Sequence, residues 1–416
     1  MAGWGDMPKE LVTKIAEHLH FFEDFVTLSC VCSSWRSALK KAKFRAFINN
    51  NDGRSSLGRE HTIPWLGYPE RYSSGLYYTL HSFYKNTFRY IKVQEGVYNN
   101  DEERILASYG WLLLVLESLK LLLFNPYTGA TIELPEIELL WPVHYGVDYH
   151  LDKLILSANP SITSDFIVFL ALEDKDTTDI TVPSMLVYWR NGYDDGWIQV
   201  VDPQLNLDGF LGSLCRDITF YQGEFYGVNC NGMIVKFETA QGSPHFQVVT
   251  ELETRKNNEA WYYYLVESAG QLLVIRQVII HLNWYMIHIT SCETKRFEVL
   301  ELDVKDGKVK EVTNLGDRAI FTGSNSSFSV QVPAHSNPGI TANTIFNLDD
   351  RVTWRWDGHG VCYGNTCFYN ILDGQPWKFI KRLDRSPQEI CYLLLNRSPS
   401  LLGEGIPYTW IESPMI

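Results

Sequence analysis

The hydrophobic pattern of the chain changes its period after about residue 50. From Pro8 to Leu19 apolar residues recur every three to four positions, which predicts an amphipathic helix with Pro8 in its first turn. A second helix is predicted to start at an Asp24 cap and to run through Leu39 into a basic segment. Helices this short bury little surface by themselves, so we expect some of their apolar side chains to contact a partner.

From about residue 60 the helical period gives way to short strands separated by turns. The clearest unit runs from Asp217 to Glu238 and predicts a three-strand meander with turns at Gln222-Gly223 and Asn231-Gly232. Similar units begin near residues 110, 164, 223, 270, 323 and 364, at separations of 41 to 59 residues. A four-stranded blade with its loops needs about 40–50 residues, so this spacing predicts an all-β, six- or seven-bladed β-propeller. A β-sandwich or an irregular β-array is the alternative that these spacings leave open.

Two long apolar stretches resemble membrane spans at first sight. The stretch from Trp111 to Phe124 is interrupted by Glu117 and Lys120, and the stretch from Leu272 to Ile289 contains Arg276 and Gln277. Neither therefore offers about 20 uninterrupted apolar residues, and each is predicted to be a pair of buried strands.

Composition and charge exclude several classes of function. The chain has 416 residues, of which 45% are hydrophobic, 20% charged and 14% aromatic, as in a globular protein. Its formal net charge of −13 repels phosphate backbones and anionic lipids, so neither a nucleic-acid nor a membrane partner is expected. The N-terminal segment carries acidic residues and no apolar run typical of a signal peptide, so a nuclear or cytoplasmic location is expected.

The chain lacks the sequence motifs of the common enzyme and metal sites. Its eight cysteines form no C-x-x-C pair and have no histidine at zinc spacing, so no metal site is predicted. No nucleophile elbow, zinc-protease motif, phosphate loop or dinucleotide fingerprint is present. We therefore predict no cofactor and no catalytic residue, although a propeller enzyme assembles its site from distant blades and is the alternative.

The N-terminal segment contains, in this order, Met7-Pro8, Glu10-Leu11, Ile15, Leu19, Asp24, Val31-Cys32 and Trp35-Arg36. This series resembles the F-box, a helical module that docks on the Skp-class adaptor of cullin ubiquitin ligases. Met7 replaces the usual leading Leu, and the segment from His20 to Glu23 is slightly long. An ordinary helical hairpin that caps the large domain, with Trp35 in its core, is the alternative. The resemblance implies that the adaptor contacts Met7, Pro8, Leu11, Ile15, Leu19, Val31, Cys32, Trp35 and Arg36.

Over nearly its whole length the chain resembles the plant F-box family whose C-terminal half is a kelch-like, KIB-type β-propeller of unknown function. The residues that carry this resemblance are Gly110 to Val115, Leu123 to Gly129 with Leu134-Pro135, Leu186 to Arg190 with Trp197, and Asp217 to Gly227. The expected organisation is an F-box module over residues 1–48, a linker over 49–59, the propeller over 60–400 and a C-terminal tail over 401–416.

The resemblance implies that the chain is a non-catalytic substrate-recognition subunit of a Skp-cullin-F-box ubiquitin ligase. Its F-box would bind the Skp-class adaptor, and through it the cullin, while the propeller would bind a protein client at residues that the sequence does not identify. Two alternatives stay open at this point: a propeller enzyme with a helical cap, and a protein-interaction scaffold outside any ligase.

Overall fold

Two short helices with described bounds precede the β-domain, and Leu28 between them is also helical. In the computed structural model the first helix, α1, spans Lys9–Glu17, and the second, α2, spans residues 33–39. The predicted first helix is confirmed, whereas the predicted second helix is interrupted, because residues 31 and 32 are not helical. The described residues are 7–17, 28, 31–39, 65–72, 75–82, 87–92, 106–116, 120–126, 128–136, 149–174, 185–200, 215–239, 246–253, 259–284, 289–323, 325, 327–332, 340–348, 367–378 and 409–411; the predicted Asp24 cap and the linker lie outside them.

The start of α2 is fixed by a cap that the sequence analysis places inside a longer helix. The Cys32 carbonyl accepts the first helical hydrogen bond from the Arg36 N–H at 3.0 Å, and the Cys32 Sγ accepts one from the Trp35 N–H at 3.4 Å. Cys32 therefore occupies the N-cap position, where a side chain satisfies an otherwise unpaired N–H group. Helix α2 thus begins after Cys32, and the predicted cap at Asp24 is not tested by the described residues.

The large domain consists of short antiparallel strands in chain order. The bounds of the first eleven are β1 Trp65–Tyr72, β2 Gly75–Ser82, β3 Thr87–Lys92, β4 Leu106–Ser108, β5 Trp111–Val115, β6 Leu121–Phe124, β7 Thr131–Glu133, β8 Tyr149–Leu156, β9 Ile167–Asp174, β10 Met185–Arg190 and β11 Ile198–Gln199. The others are β12 Cys215–Tyr221, β13 Glu224–Asn229, β14 Met233–Phe237, β15 Phe246–Glu251, β16 Glu259–Ser268, β17 Gln271–Trp284, β18 Ile289–Leu302, β19 Val309–Glu311, β20 Arg318–Gly323, β21 Phe328–Gln331, β22 Thr344–Leu348, β23 Cys367–Asn370, β24 Gln375–Lys378 and β25 Thr409–Ile411.

The described strands form six sheets, and we number the sheets I to VI. Sheet I has the order β25-β1-β2-β3, and sheets II to V are the meanders β4–β7, β8–β11, β12–β15 and β16–β19. Sheet VI contains β20 to β24. The strands β25, β4, β8, β12 and β16 are neighbours in this sequence, and sheet VI contacts β16 through β21 and β25 through β20, which closes a ring. The all-β propeller fold is therefore confirmed.

The ring is closed by a strand from the far end of the chain. Strand β25 pairs antiparallel with β1, with Trp65 opposite Ile411 and Gly67 opposite Thr409. This pairing covers the edge of β1, which would otherwise expose unpaired backbone groups. Strand β25, which completes sheet I, thus lies within the segment 401–416 that the expected organisation assigns to a C-terminal tail.

The sixth sheet departs from the meander pattern. Its order is β21-β20-β22-β23-β24, and β20 and β22 run parallel, with Ala319 opposite Thr344. Gly323, which the repeat spacing marks as the start of a strand, instead ends β20. Five sheets are thus regular four-stranded blades, not the six or seven that the spacing predicts, because the β20–β21 hairpin adds a strand and breaks the meander in sheet VI.

A buried network holds the tip of the β20–β21 hairpin against three blades. Lys153 on β8 donates to the Asn325 carbonyl at 2.8 Å and lies 3.1 Å from Asp217 Oδ1 on β12. Asp217 Oδ2 accepts hydrogen bonds from the Leu265 N–H on β16 at 3.0 Å and from the Ser327 hydroxyl at 2.8 Å. Both charged side chains are fully buried, so this network joins sheets III, IV, V and VI at the inner strands.

Turn glycines and packed apolar faces explain why these residues form blades. Gly110, Gly223 and Gly270 occupy the turns before β5, β13 and β17 with φ of 75°, 88° and 79°, a region that glycine adopts without a steric penalty. The predicted meander over 217–238 is confirmed as β12, β13 and β14. Alternate side chains of neighbouring sheets then pack together, as Phe169 of sheet III does against Phe225 and Phe237 of sheet IV.

The two apolar stretches fold as strands, and one of them differs from its prediction. Trp111 to Phe124 forms the pair β5 and β6, as predicted, whereas Leu272 to Trp284 lies within the single strand β17. Two polar residues of β17 form hydrogen bonds within the sheet: Arg276 donates to Glu298 Oε2 at 2.6 Å, and Gln277 donates to Thr294 Oγ1 at 2.8 Å. Among the described helices, none is long and apolar enough to cross a membrane.

Candidate functional site

Helix α1 exposes two large apolar side chains on one face. Leu11 is 54% exposed and Ile15 is 38% exposed, and their spacing of four residues places them together on the helix surface. Val12, on another face of the same helix, is buried against Trp35, Ala38 and Leu39 of α2. The helix therefore packs on one side and leaves an apolar side without a covering within the described residues.

Val31 extends the exposed apolar set beyond α1. Its side chain is 52% exposed and directly precedes the cap of α2. Pro8 and Arg36 are also exposed, and Met7 and Cys32 are half-buried against the helical core. We call Leu11, Ile15 and Val31 the helical apolar patch.

Trp35 is buried, unlike the other described residues that are predicted to contact an adaptor. It is 5% exposed and packs in the core of the helical module with Val12 and Leu39. Among the nine residues predicted to contact an adaptor, Trp35 thus has a position typical of a core residue, and Leu19 lies outside the described residues. Adaptor contact by the other members stays a prediction.

The propeller has a second candidate surface at one end of its ring. In a four-stranded meander the first and third connections lie at the same end, so loops 157–166 and 191–197 of sheet III are neighbours. Hydrogen bonds link this end across sheets: the Trp111 indole N–H donates to Asn159 Oδ1 at 3.2 Å, Arg190 Nη1 donates to the Thr239 carbonyl at 3.3 Å, and the Tyr221 hydroxyl donates to the Gly270 carbonyl at 2.9 Å. We call the end of sheets II to V that carries these connections the loop end.

Loop 157–166 is held in one conformation and presents an exposed apolar side chain. Asn159 accepts hydrogen bonds at its carbonyl from the N–H groups of Ile162 and Thr163, and at its Oδ1 from the Ser161 N–H. The Ser157 hydroxyl oxygen accepts the Ile167 N–H at 2.8 Å. Ile162, 55% exposed, is therefore displayed by a loop that needs little further ordering on binding.

The adjacent loop 191–197 is fixed by an ion pair. Arg190 Nη2 and Asp194 Oδ1 lie 2.8 Å apart, and the Arg190 N–H donates to Asp194 Oδ2 at 2.9 Å. Partial burial opposes ionisation of Asp194, but the hydrogen bonds and charge of Arg190 outweigh it and lower the pKa of this carboxyl. The turn displays Tyr193, 73% exposed, and an aromatic side chain of this kind is common at the centre of protein interfaces.

The electrostatic potential at the loop end is negative near sheet V. The pKa of the Tyr221 hydroxyl is raised, first by burial and then by the carboxylates of Glu267, Glu301 and Asp303. Asp165 and Asp195 are exposed in the two loops of sheet III. The described loop end therefore combines Ile162 and Tyr193 with several carboxylates, which is an arrangement suited to an apolar and basic segment of another protein.

Within the described residues, no group of His, Cys, Asp and Glu is arranged to hold a metal ion. The buried Lys153 and Asp217 bond to each other and to the surrounding chain, and the Ile218 N–H also donates to Asp217 Oδ1 at 2.9 Å. This arrangement is suited to joining blades, because its polar atoms are directed at protein groups. Sequence analysis did not identify the network of Lys153 and Asp217, the exposed loop-end side chains Ile162 and Tyr193, or the side of α1 that is buried.

Comparison with known families places both parts of the chain. An F-box domain model matches residues 4–47, and a KIB1-4 beta-propeller model matches residues 78–370. The F-box protein At2g17036 of Arabidopsis thaliana is 21% identical over 366 residues, which cover 79% of each chain. The F-box protein SKIP23 of Arabidopsis thaliana is 22% identical over 403 residues, which cover 84% of this chain and 86% of the relative.

Solved structures include distant neighbours. An oligogalacturonate lyase in complex with manganese matches with a TM-score of 0.38 and 8% identity, over 78% of this chain and 77% of the lyase. The two family models together span both the helical module and most of the β-domain. The chain belongs to the family of F-box proteins that carry a C-terminal KIB1-4 β-propeller.

Proposed function

We propose that this chain is the substrate-recognition subunit of a Skp-cullin-F-box ubiquitin ligase. The observation that carries the proposal is the helical apolar patch, which lies within the residues matched by the F-box model. Three large exposed apolar side chains on so small a module favour a protein partner, since exposed apolar surface often marks an interaction site. In this proposal the partner is a Skp-class adaptor, which links the chain to a cullin.

The proposed role of the propeller is to bind the protein that becomes ubiquitinated. Rigid loops on a closed scaffold are the usual carriers of binding residues, and the loop end offers Ile162 and Tyr193 on such loops. The nearby carboxylates would attract a basic segment and make the association weaker at high salt. The chain itself supplies no catalytic group in this account; ubiquitin is transferred by other subunits.

The two proposed surfaces are separable by mutation. We expect a Leu11→Ala/Ile15→Ala variant to lose the adaptor while it still binds the client, because the two surfaces lie on different modules. A Tyr193→Ala variant is expected to keep the adaptor and lose client affinity by roughly tenfold or more, as for an aromatic anchor.

The experiment compares proteins that co-purify with the full-length chain and with each variant from cells. A client should accumulate on the Leu11→Ala/Ile15→Ala variant and rise in cellular abundance. Lys14→Ala, on the same helix but outside the patch, is the matched control and should behave as wild type. A wild-type chain that captures no Skp-class adaptor would contradict the proposal.

A further inference from the structure

Arg318 is a buried cation that has no carboxylate partner within the described residues. Its side chain is 8% exposed at the start of β20. Its side-chain hydrogen bonds go from Nε to the Ser329 hydroxyl oxygen at 2.8 Å and from Nη2 to the Ser329 carbonyl at 3.5 Å. Within the described part of the chain no carboxylate pairs with it, because the neighbouring Asp317 carboxylate accepts instead from Gln331 Nε2 at 2.6 Å.

The groups around Arg318 supply more donors than acceptors. Ser329 and Ser268 are both buried, and their hydroxyl oxygens lie 2.9 Å apart. One hydroxyl proton of this pair is used between the two oxygens, and the other is left to donate elsewhere. A guanidinium group has five N–H donors, so Arg318 keeps several that make no hydrogen bond within the described residues. A cluster of buried donors with a net positive charge matches an oxyanion.

The position of this cluster makes it reachable from the loop end. Ser268 directly precedes the turn Ala269-Gly270, and both turn residues are exposed. Gly316 and Asp317, which precede Arg318, are exposed as well. The guanidinium therefore lies near the exposed turn of sheet V that belongs to the loop end.

We propose that Arg318, Ser268 and Ser329 form a subsite for an oxyanion, namely a carboxylate or a phosphate group. Burying an unpaired charge costs stability, so a guanidinium kept in this state is expected where a ligand completes the pair. The subsite itself does not depend on the proposed ligase function, since a free anion can occupy it.

The test measures thermal unfolding of the full-length chain in chloride, acetate and inorganic phosphate at matched ionic strength. We expect acetate or phosphate to raise the melting temperature of the wild-type protein above that in chloride, in a concentration-dependent manner. An Arg318→Met variant should lose this extra rise. In chloride it should be as stable as wild type or more stable, because it removes an unpaired buried charge.

The matched control is Arg276→Met. Arg276 is also largely buried, but it pairs with Glu298 and lies 4.4 Å from the centroid of the Trp261 ring. This variant should lose stability in every salt and keep the anion-dependent rise. An Arg318→Lys variant, which keeps the charge without the planar fork, should respond to the anion more weakly than wild type.

The outcomes decide the proposal and the kind of anion. A rise with phosphate alone assigns the subsite to phosphate groups, and a rise with acetate also assigns it to carboxylates. If neither anion stabilises the wild-type protein beyond chloride, or if Arg318→Met loses stability as Arg276→Met does, Arg318 has a structural role and the proposal is overturned. These readouts require no adaptor and no client, so failure here is distinguishable from failure of the proposed function.

Discussion

Removing the positive charge of Lys153 should destabilise the propeller more than any surface substitution. Lys153→Met keeps the length of the side chain but leaves the Asp217 carboxylate buried without its counter-ion. Burial raises the pKa of Asp217, and the charge of Lys153 opposes this rise together with hydrogen bonds from the Leu265 N–H and the Ser327 hydroxyl. The variant removes the largest of these opposing contributions.

The expected magnitude follows from the burial of both partners. Breaking a fully buried ion pair by removal of one partner costs about 3–5 kcal/mol of the free energy of unfolding. A Lys153→Met/Asp217→Leu double variant removes both charges, but the Leu265 N–H and the Ser327 hydroxyl then lose their acceptor, at about 1–3 kcal/mol each. We therefore expect the double variant to lose no more free energy of unfolding than the two single variants lose in sum, with a favourable coupling between the two sites.

The assay is equilibrium unfolding in urea, followed by tryptophan fluorescence and by circular dichroism. Coincident transitions allow the midpoints to be converted into free energies. Lys308→Met is the matched control, because Lys308 pairs with Asp306 on the surface and its loss should leave the midpoint unchanged. A Lys153→Met midpoint equal to that of the Lys308→Met control would refute the view that this network joins the blades.

Three further predictions concern other parts of the chain. Trp35→Ala should lower the protease resistance of the helical module in limited proteolysis, because Trp35 lies in its core with Val12. Truncation before residue 409 should lower the melting temperature and promote aggregation seen by light scattering, because it uncovers the edge of β1; a truncated chain as stable as the full one would contradict the ring closure. The pKa of Asp194 is lowered in the folded state, so its ion pair with Arg190 should stabilise the fold above the unfolded pKa of about 3.9. This stabilisation should be lost as the pH falls through the folded pKa. The stability difference between Asp194→Asn and wild type should therefore shrink in that acidic range.

The elements that local sequence determines were predicted correctly. The period of residues 8–19 predicts α1, and the glycines in the turns before β5, β13 and β17 predict those hairpins, since each turn needs a backbone conformation that glycine adopts freely. Periodicity does not distinguish Leu11 from Val12, because both are apolar neighbours on a narrow stripe. The packing of α2 decides which of them is buried.

Features that depend on distant partners were missed. The stretch from Leu272 to Ile289 is predicted to be a pair of strands, yet β17 continues to Trp284. It passes through Arg276 and Gln277, because Glu298 and Thr294 on the neighbouring strand satisfy these two polar residues. Strand β25 carries no local signal that it pairs with β1, because the two strands lie far apart in the sequence and meet only where the ring closes. The parallel pairing of β20 with β22 is non-local in the same sense.

Gly67 and Thr409 are 342 residues apart in the sequence, and Trp65 and Ile411 are 346 apart. Pairing over such a distance follows from closure of the ring, and the local sequence of β25 does not predict it. The same holds for the exposure of Ile162 and Tyr193, which results from how the loops of sheet III are bonded to one another.

The central claim is that the helical apolar patch binds a Skp-class adaptor. The most direct test is the dissociation constant of the full-length chain with a purified adaptor, measured by isothermal titration calorimetry. The account predicts specific binding by the wild-type chain and by the Lys14→Ala control. It predicts a loss of affinity of roughly 30-fold or more in Leu11→Ala/Ile15→Ala, because two truncated apolar contacts cost about 1–2 kcal/mol each. Equal affinities for the wild-type chain and this double variant, or no binding by either, would contradict the account.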